Sequence, residues 1–404
     1  MRPRLLVVPH IYADDIAVRE IELARRLTSS FDVFLLKWRD ALHVDGKSAF
    51  IRRVKQFGVG LRAALRSRAQ VKGPDGLEVI EVPVWQPLLL QRVLGSEAAL
   101  SVCQLRNRGT LRALVRDLEI THLLIANELF GVERIRSVRT FYDVVDWFPE
   151  DSLSSEGLAR VRSGLRAISK KVDGVFAVSN PLCEKLERDC GVQAVPLPNG
   201  ANVGALRSVA PAKISALRQR LGVAENFVIG YIGNHGSFTG VDLAVNAFLL
   251  ARPRIPNAKL LIIGPADTWR HLLEANRTQG VVATGSIPPS EIAEYFNSID
   301  IGLLAQGKST GTDFAFQIKM VEYSACRKCV VSTPLLTWQK LAWPNIILAE
   351  PNVKAWADAF VQARSLSWQP EWDRFAEAYD WEVLADNAAT KIMGGVNAEL
   401  ICAS

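Results

Sequence analysis

The amino-acid sequence predicts an α/β protein of two Rossmann-like domains, on three observations. At 404 residues the chain suggests two domains, or one large one. Through its first half, short β-branched runs alternate with segments of helical period, the βαβ pattern of a parallel sheet. A second series opens at Phe227-Val228-Ile229-Gly230-Tyr231-Ile232-Gly233, where a strand enters a glycine-bearing turn and then an apolar-periodic helix from Leu243.

Composition narrows the class. With 49% hydrophobic and 22% charged residues the chain is globular rather than disordered. A net charge of +6 suits an anionic substrate, an anionic membrane surface or nucleic acid, and decides among none of them. No apolar run approaches the ~18 residues that cross a bilayer. The Arg4–Val8 run ends at Pro9-His10 and acids rather than a small-residue cleavage site, so it reads as a strand and not a signal peptide. Six cysteines without a regular framework point to a reducing, cytoplasmic setting. Cys326-x-x-Cys329 lacks the second pair that a zinc site needs.

In chain order, Ile16, Ile21, Leu23, Ala24 and Leu27 mark a first helix, preceded by Tyr12-Ala13-Asp14-Asp15. The two acids disfavour phosphate, so by its residues this turn caps the helix. Val33–Leu36 is the next strand. Residues 48–72 interleave Arg52, Arg53, Lys55, Arg62, Arg66, Arg68 and Lys72 with apolar positions and no acid, a pattern that suits an anionic lipid surface or a solvated loop helix. No aromatic-basic reading motif accompanies it, which argues against nucleic acid. Strands at 121–126 and 141–147 end in Glu128, Asp143 and Asp146, at the carboxyl ends where open α/β sheets bind ligands. Residues 203–212, rich in small side chains and broken by Ala210-Pro211, read as the interdomain linker. Beyond it, Gly233 to Gly240 form the turn before a helix N-terminus, where free amides favour anions. Strands follow at 260–263, 281–286, 300–304 and 346–348, with a glycine-, serine- and threonine-bearing loop at 306–316. The run 316–325 is a short helix and 330–331 a buried strand. Lys319 stands in the first helical turn, where the macrodipole disfavours a cation, and precedes Glu322 in the poorer order for a helical pair. Either an anion sits nearby or the two form a solvated surface pair.

The stretch Lys319, Glu322, Tyr323, Ala325, Lys328, Val330, Val331 and Thr333 resembles the donor-site signature P-x-K-x-x-E-Y-x-A-x-G-K-P-V-V-x-T of family 4 ("group 1") glycosyltransferases. It departs at Gln317, Arg327 and Cys329, and the family's earlier glutamate falls on Phe314. Further likenesses are Arg19, Leu23, Ala24 and Leu27 in the first helix, Tyr142, Asp143 and Asp146 in a Y-D-x-x-D-D-W element, and Pro198-Asn199-Gly200. Aligning Gly233 and Gly240 with the family's G-R-x-x-x-x-K-G turn puts Asn234 and Thr239 where its basic clamp stands. Ser237, Thr239, backbone amides and Lys319 or Lys308 would substitute.

The resemblance implies a GT-B fold: a domain over 1–205, a nucleotide-sugar domain over 206–380, and a final segment over 381–404 whose helix crosses back to the first domain. It implies retaining, metal-independent transfer of a sugar from a nucleoside-diphosphate sugar to a glycan or lipid-linked acceptor in bacterial surface polysaccharide synthesis, with no cofactor. The implied catalytic and acceptor-side residues are Lys319, Asp146 and Arg19. The implied donor-binding residues are Glu322 for the ribose, Gly233, Asn234, Ser237, Thr239 and Gly240 for the diphosphate, Gly285, Ser286 and Ile287 for the base, and Gln317 and Ile318 at the helix head. The alternatives are a catalytically inactive binding or scaffold protein of the same fold and a nucleotide-sugar epimerase.

Overall fold

The computed structural model describes residues 2–10, 19–40, 69–72, 77–85, 96–234, 236, 239–265, 267–341 and 343–394. Two sheets organise them. The first contains β1 (Arg4–Val8), β2 (Asp32–Asp40), β3 (Ala69–Lys72), β4 (Glu78–Val84), β5 (His122–Ile125), β6 (Arg139–Val144), β7 (Gly174–Ala177) and β8 (Val195–Pro196), in the order β3-β4-β2-β1-β5-β6-β7-β8. Its described pairings are parallel except β3 with β4. Leu5 to Val8 are fully buried, as a central parallel strand covered on both faces requires.

The second sheet contains β9 (Phe227–Ile232), β10 (Ala258–Ile263), β11 (Val281–Gly285), β12 (Ile301–Leu304), β13 (Cys329–Ser332) and β14 (Ile346–Leu348), all parallel, in the order β11-β10-β9-β12-β13-β14. Strand order reverses between β9 and β12 here and between β1 and β5 in the first sheet. Each reversal leaves a crevice at the carboxyl strand ends, the position where such sheets bind ligands.

The domains are tied twice. At the hinge, Ala201 pairs with Asp380: Ala201 N donates to Tyr379 O at 3.1 Å and Trp381 N to Ala201 O at 3.1 Å. The helix Trp381–Met393 then lies on the helix Arg19–Leu27, burying Trp381, Leu384, Ala385, Ala388, Ala389 and Ile392 in one cluster with Leu5, Val7 and Leu23. The expected return of the last helix to the first domain is observed. The expected linker is not a loop: residues 203–212 hold the helix Val203–Arg207 and the start of the helix Pro211–Arg220, with Asn202 Oδ1 capping the first and Pro211 opening the second.

The second tie joins the 306–316 segment, expected as a loop facing the donor, to the first domain. It contains a helix, Thr310–Phe314, closed by a capping box between Ser309 and Thr312. Thr310 Oγ1 accepts from Glu150 N at 2.7 Å, and Ser179 Oγ donates to Phe314 O at 2.6 Å. Phe314 is buried against Lys185, whose Nζ lies 5.0 Å from its ring centroid and 5.2 Å from that of Trp147. Lys185 also pairs with Glu150 and Asp189, each at 2.8 Å.

The tryptophans at 147, 338, 356, 372 and 381 are buried packing anchors. Cys326 and Cys329 are buried free thiols, and burial pushes both up to about 12. Residues 48–68 and 86–95 lie outside the described residues, whereas Ala69–Lys72, read with the basic segment, forms the antiparallel edge strand β3. No described helix is long and apolar enough to cross a membrane.

Candidate active site

The helix that follows the 306–316 segment is built as its sequence demands. In Ile318–Ala325, Met320, Val321, Tyr323 and Ser324 face the core, while Lys319 and Glu322 stay partly exposed. Tyr323 lies flat on Gly302, where a Cβ would come within 2.5 Å of its ring. Its hydroxyl accepts from Ile232 N at 3.1 Å and faces Gly230 O and Leu303 O at 3.3 and 3.4 Å. One tyrosine thereby fastens the helix across β9 and β12, at the crevice between them.

Lys319 Nζ lies 3.2 Å from Glu322 Oε2, and a Cβ built on Gly233 would lie 3.9 Å from Lys319 Cε. Glycine turn, lysine and glutamate therefore form one cluster at the carboxyl end of β9. The two side chains form a partly exposed ion pair, and the pair borders the turn. Gly264 N donates to Gly285 O at 3.0 Å, which brings the 285–287 backbone to the neighbouring strand end, with Ser286 exposed.

Several expected donor contacts are redirected. Thr239 is buried, and both its amide and its hydroxyl bond Gly236 O, at 3.1 and 2.6 Å, so its hydroxyl closes the turn instead of facing a ligand. The Gln317 side chain is also buried, donating to Thr312 O at 3.1 Å and accepting from Trp338 Nε1 at 2.6 Å. Ile318 packs toward the core shared by the first-domain sheet and the last helix. At these three positions only backbone groups remain for a donor. Asn234 is exposed, and its carbonyl accepts from Tyr231 Oη at 3.0 Å. Ser237 lies outside the described residues. Gly240 sits at φ +58, and a Cβ there would meet Ala305 O at 2.4 Å, so the turn admits only glycine.

On the first domain, Arg19 is corrected from a cleft group to a buried brace. Its guanidinium makes a bidentate pair with Asp143 at 3.0 and 2.9 Å and donates to Leu197 O at 2.6 Å and Asn199 Oδ1 at 3.3 Å. Asp146, at the end of β6, is open to solvent, yet the surrounding walls raise its carboxyl: burial is the largest cause, opposed by the charges of His10 and Arg19. Sequence reasoning missed His10 and Glu20. His10 Nδ1 is 2.5 Å from Oε1 of Glu20, a fully buried carboxylate that also accepts from His10 N at 3.1 Å. The signal available was a histidine ending the first strand followed by a glutamate among the core positions of the first helix. Among the described residues no group of three or more histidine, cysteine or carboxylate side chains is placed to hold a metal.

A cavity of about 270 Å³ opens at the hinge, lined by Pro198, Phe316, Tyr379 and Leu384 among others; Lys319, Glu322, Gly233 and Gly285 do not line it. Charge and exposed backbone converge instead at the strand-end cluster of Lys319, Glu322 and Gly233.

Two facing Rossmann-like domains and an exchanged last helix define the GT-B class. Solved structures of that class align over nearly the whole chain. A glycosyltransferase from Rickettsia africae ESF-5 matches with TM-score 0.66 and 13% identity, over 98% of this chain and 99% of its own. An E. coli trehalose-6-phosphate protein bound with UDP-2-fluoro glucose matches with TM-score 0.67 and 14% identity, over 97% and 99%. Residues 226–365 match the family model of group 1 glycosyl transferases. The whole chain thus has the GT-B fold, and its second domain is similar to group 1 glycosyl transferases. A Bacillus subtilis (strain 168) protein, described as a candidate teichuronic acid biosynthesis glycosyltransferase, TuaH, is 29% identical over 127 residues, and this match spans 30% of each chain.

Proposed function

We propose that the protein transfers a sugar from a nucleoside-diphosphate sugar to a glycan or lipid-linked acceptor. The observation that carries this reading is the clustering of Lys319 and Glu322 beside Gly233 at the carboxyl end of β9. A carboxylate there suits the paired hydroxyls of a ribose, and a lysine beside an amide-bearing turn suits a diphosphate. During transfer the leaving diphosphate gains charge, which Lys319 and the turn amides stabilise without a metal. The TuaH description favours a surface polysaccharide as product. The family resemblance favours retention at the anomeric carbon, and the basic 48–72 segment favours work on the cytoplasmic face of a membrane.

Calorimetric titration with UDP and GDP tests the donor assignment. Glu322→Ala is expected to weaken binding of the preferred nucleotide by roughly 1.5–3 kcal/mol, the scale of a charge-assisted hydrogen bond. Unchanged affinity in the folded variant sinks the ribose role. The second reading, a binding protein without turnover, is favoured by Phe314, which stands buried at the family's acid position, and by the spent Thr239 hydroxyl. Nucleotide affinity with no turnover of any nucleotide-sugar decides for it.

A further inference from the structure

The cavity at the hinge lies apart from the Lys319–Glu322 cluster, and three separate parts of the chain build it. The first domain contributes Pro198 and Glu184, the second Phe316 and Lys340, and the crossover Tyr379 and Leu384. Its volume of about 270 Å³ falls between the ~150 Å³ cavity that admits benzene and the ~300 Å³ lower end of ordinary ligand pockets. That is the range of a one- or two-ring molecule.

The chemistry of the walls sets the class of occupant. Pro198, Leu384 and the rings of Phe316 and Tyr379, whose centroids are 5.0 Å apart, give an apolar lining with aromatic faces. Such rings take a further ring in offset or edge-to-face contact. The Ser179 and Thr337 hydroxyls in the lining are already committed, donating to Phe314 O at 2.6 Å and to Asp313 O at 3.0 Å. Asn387 differs. It is half-buried on the helix Trp381–Met393, lines the cavity, and its side chain makes no hydrogen bond among the described residues. Its amide oxygen is thus left for one donor group. Lys340 and Glu184, both open to solvent, pair with each other across the domains, so the lining carries no net charge.

Occupancy has a mechanical consequence. Asn199 Nδ2, next to Pro198, donates to Phe316 O at 2.6 Å, and Ala201 N donates to Tyr379 O at 3.1 Å, so interdomain bonds align the walls. A ring in contact with Pro198, Phe316 and Leu384 meets all three parts only while that alignment holds. It therefore binds this arrangement of the domains better than one rotated about the hinge, and by linkage stabilises it.

We propose that the hinge cavity binds a small neutral aromatic molecule bearing one hydrogen-bond donor, and that this occupant clamps the two domains in their present arrangement. The site stands whether or not the chain transfers a sugar.

The test uses the full chain with indole as probe. Calorimetry is expected to give a dissociation constant of about 1 mM or tighter, with no displacement of indole by saturating UDP. Val383 lines the cavity and is 37% exposed, so Val383→Trp adds a ring there without loss of the fold. This variant is expected to weaken indole binding about tenfold or more, by filling the space. Asn387→Leu is expected to weaken indole about three- to tenfold and to leave 1-methylindole, which lacks the donor, unchanged. Hydrogen exchange at Ala201 N and Trp381 N, the amides of the hinge bridge, is expected to slow about threefold or more when indole is bound to the wild type. Failure of indole to bind the wild type, its displacement by UDP, or equal affinity in Val383→Trp overturns the site. Binding without protection of the hinge amides overturns the clamp. The donor reading falls separately, on absence of UDP and GDP binding.

Discussion

Arg327 shows how a departure from a motif is accommodated residue by residue. It follows the Ile318–Ala325 helix at φ +60, where Lys328 N donates to Tyr323 O at 3.0 Å and Arg327 N to Ser324 O at 2.9 Å. These are the paired bonds of a Schellman end, and its left-handed position explains the glycine of the family signature. Arginine there carries about 1 kcal/mol of backbone strain, partly offset by its bidentate pair with Asp373 at 3.1 and 2.8 Å and by its stacking 4.5 Å from the Trp368 ring centroid. Arg327→Gly is expected to stay within about 0.5 kcal/mol of the native chain, and Arg327→Ala to fall roughly 1 kcal/mol below the glycine variant in urea unfolding. Equal stability of the two variants contradicts the strain. Helical spacing sets Lys319, Glu322 and Tyr323 apart from the stripe of Ile318, Val321 and Ala325; the first two stay partly exposed, but Tyr323 is buried against the sheet. Sequence reasoning misjudged Thr239, Gln317 and Arg19 because nothing local distinguishes a polar side chain facing a ligand from one capping a turn or bracing a wall.

At the scale of elements, the turn between β9 and the helix Val241–Ala251 is set by backbone crowding as much as by its polar residues. The Gly240 Cβ position is occupied by Ala305 O, from the end of β12, so turn and crevice wall are built against one another. Gly240→Ala combines the left-handed penalty with this clash and is expected to cost about 3 kcal/mol. Gly222→Ala makes the control: φ is +69 there, but nothing lies within 4 Å, and about 1 kcal/mol is expected. Equal losses at both sites exclude the Ala305 carbonyl as the constraint. The strands were legible because apolar runs ended by glycine or proline have few other structures to adopt. The helix Thr310–Phe314 was not legible, since its five residues fall below the window in which periodicity is visible and it is stabilised by docking.

At the scale of the molecule, Lys185 bridges the domains through Glu150, Trp147 and Phe314. Burial tends to raise Glu150 and Asp189, but the Lys185 hydrogen bond leads the causes that hold both below the usual carboxylate range. Their contribution to stability is therefore complete above that range and is lost as pH falls through their lowered values. Lys185→Met is expected to cost about 2–3 kcal/mol, less than a fully buried pair because Glu150 and Asp189 keep 19% and 13% side-chain exposure, and to move the acid unfolding midpoint upward. An unchanged midpoint removes Lys185 from the account. The two-domain architecture was legible because each half repeats the same alternation, while the second tie joins residues more than 130 positions apart, beyond the reach of local pattern. The exchanged last helix has a consequence for biosynthesis. The sheet begun at Arg4 gains Trp381, Leu384 and Ile392 only after the intervening domain has been translated, a wait on the order of ten seconds or more at cellular elongation rates. Until then the apolar face of the first helix stays uncovered, so the core of the first domain is completed only after the second domain has been made.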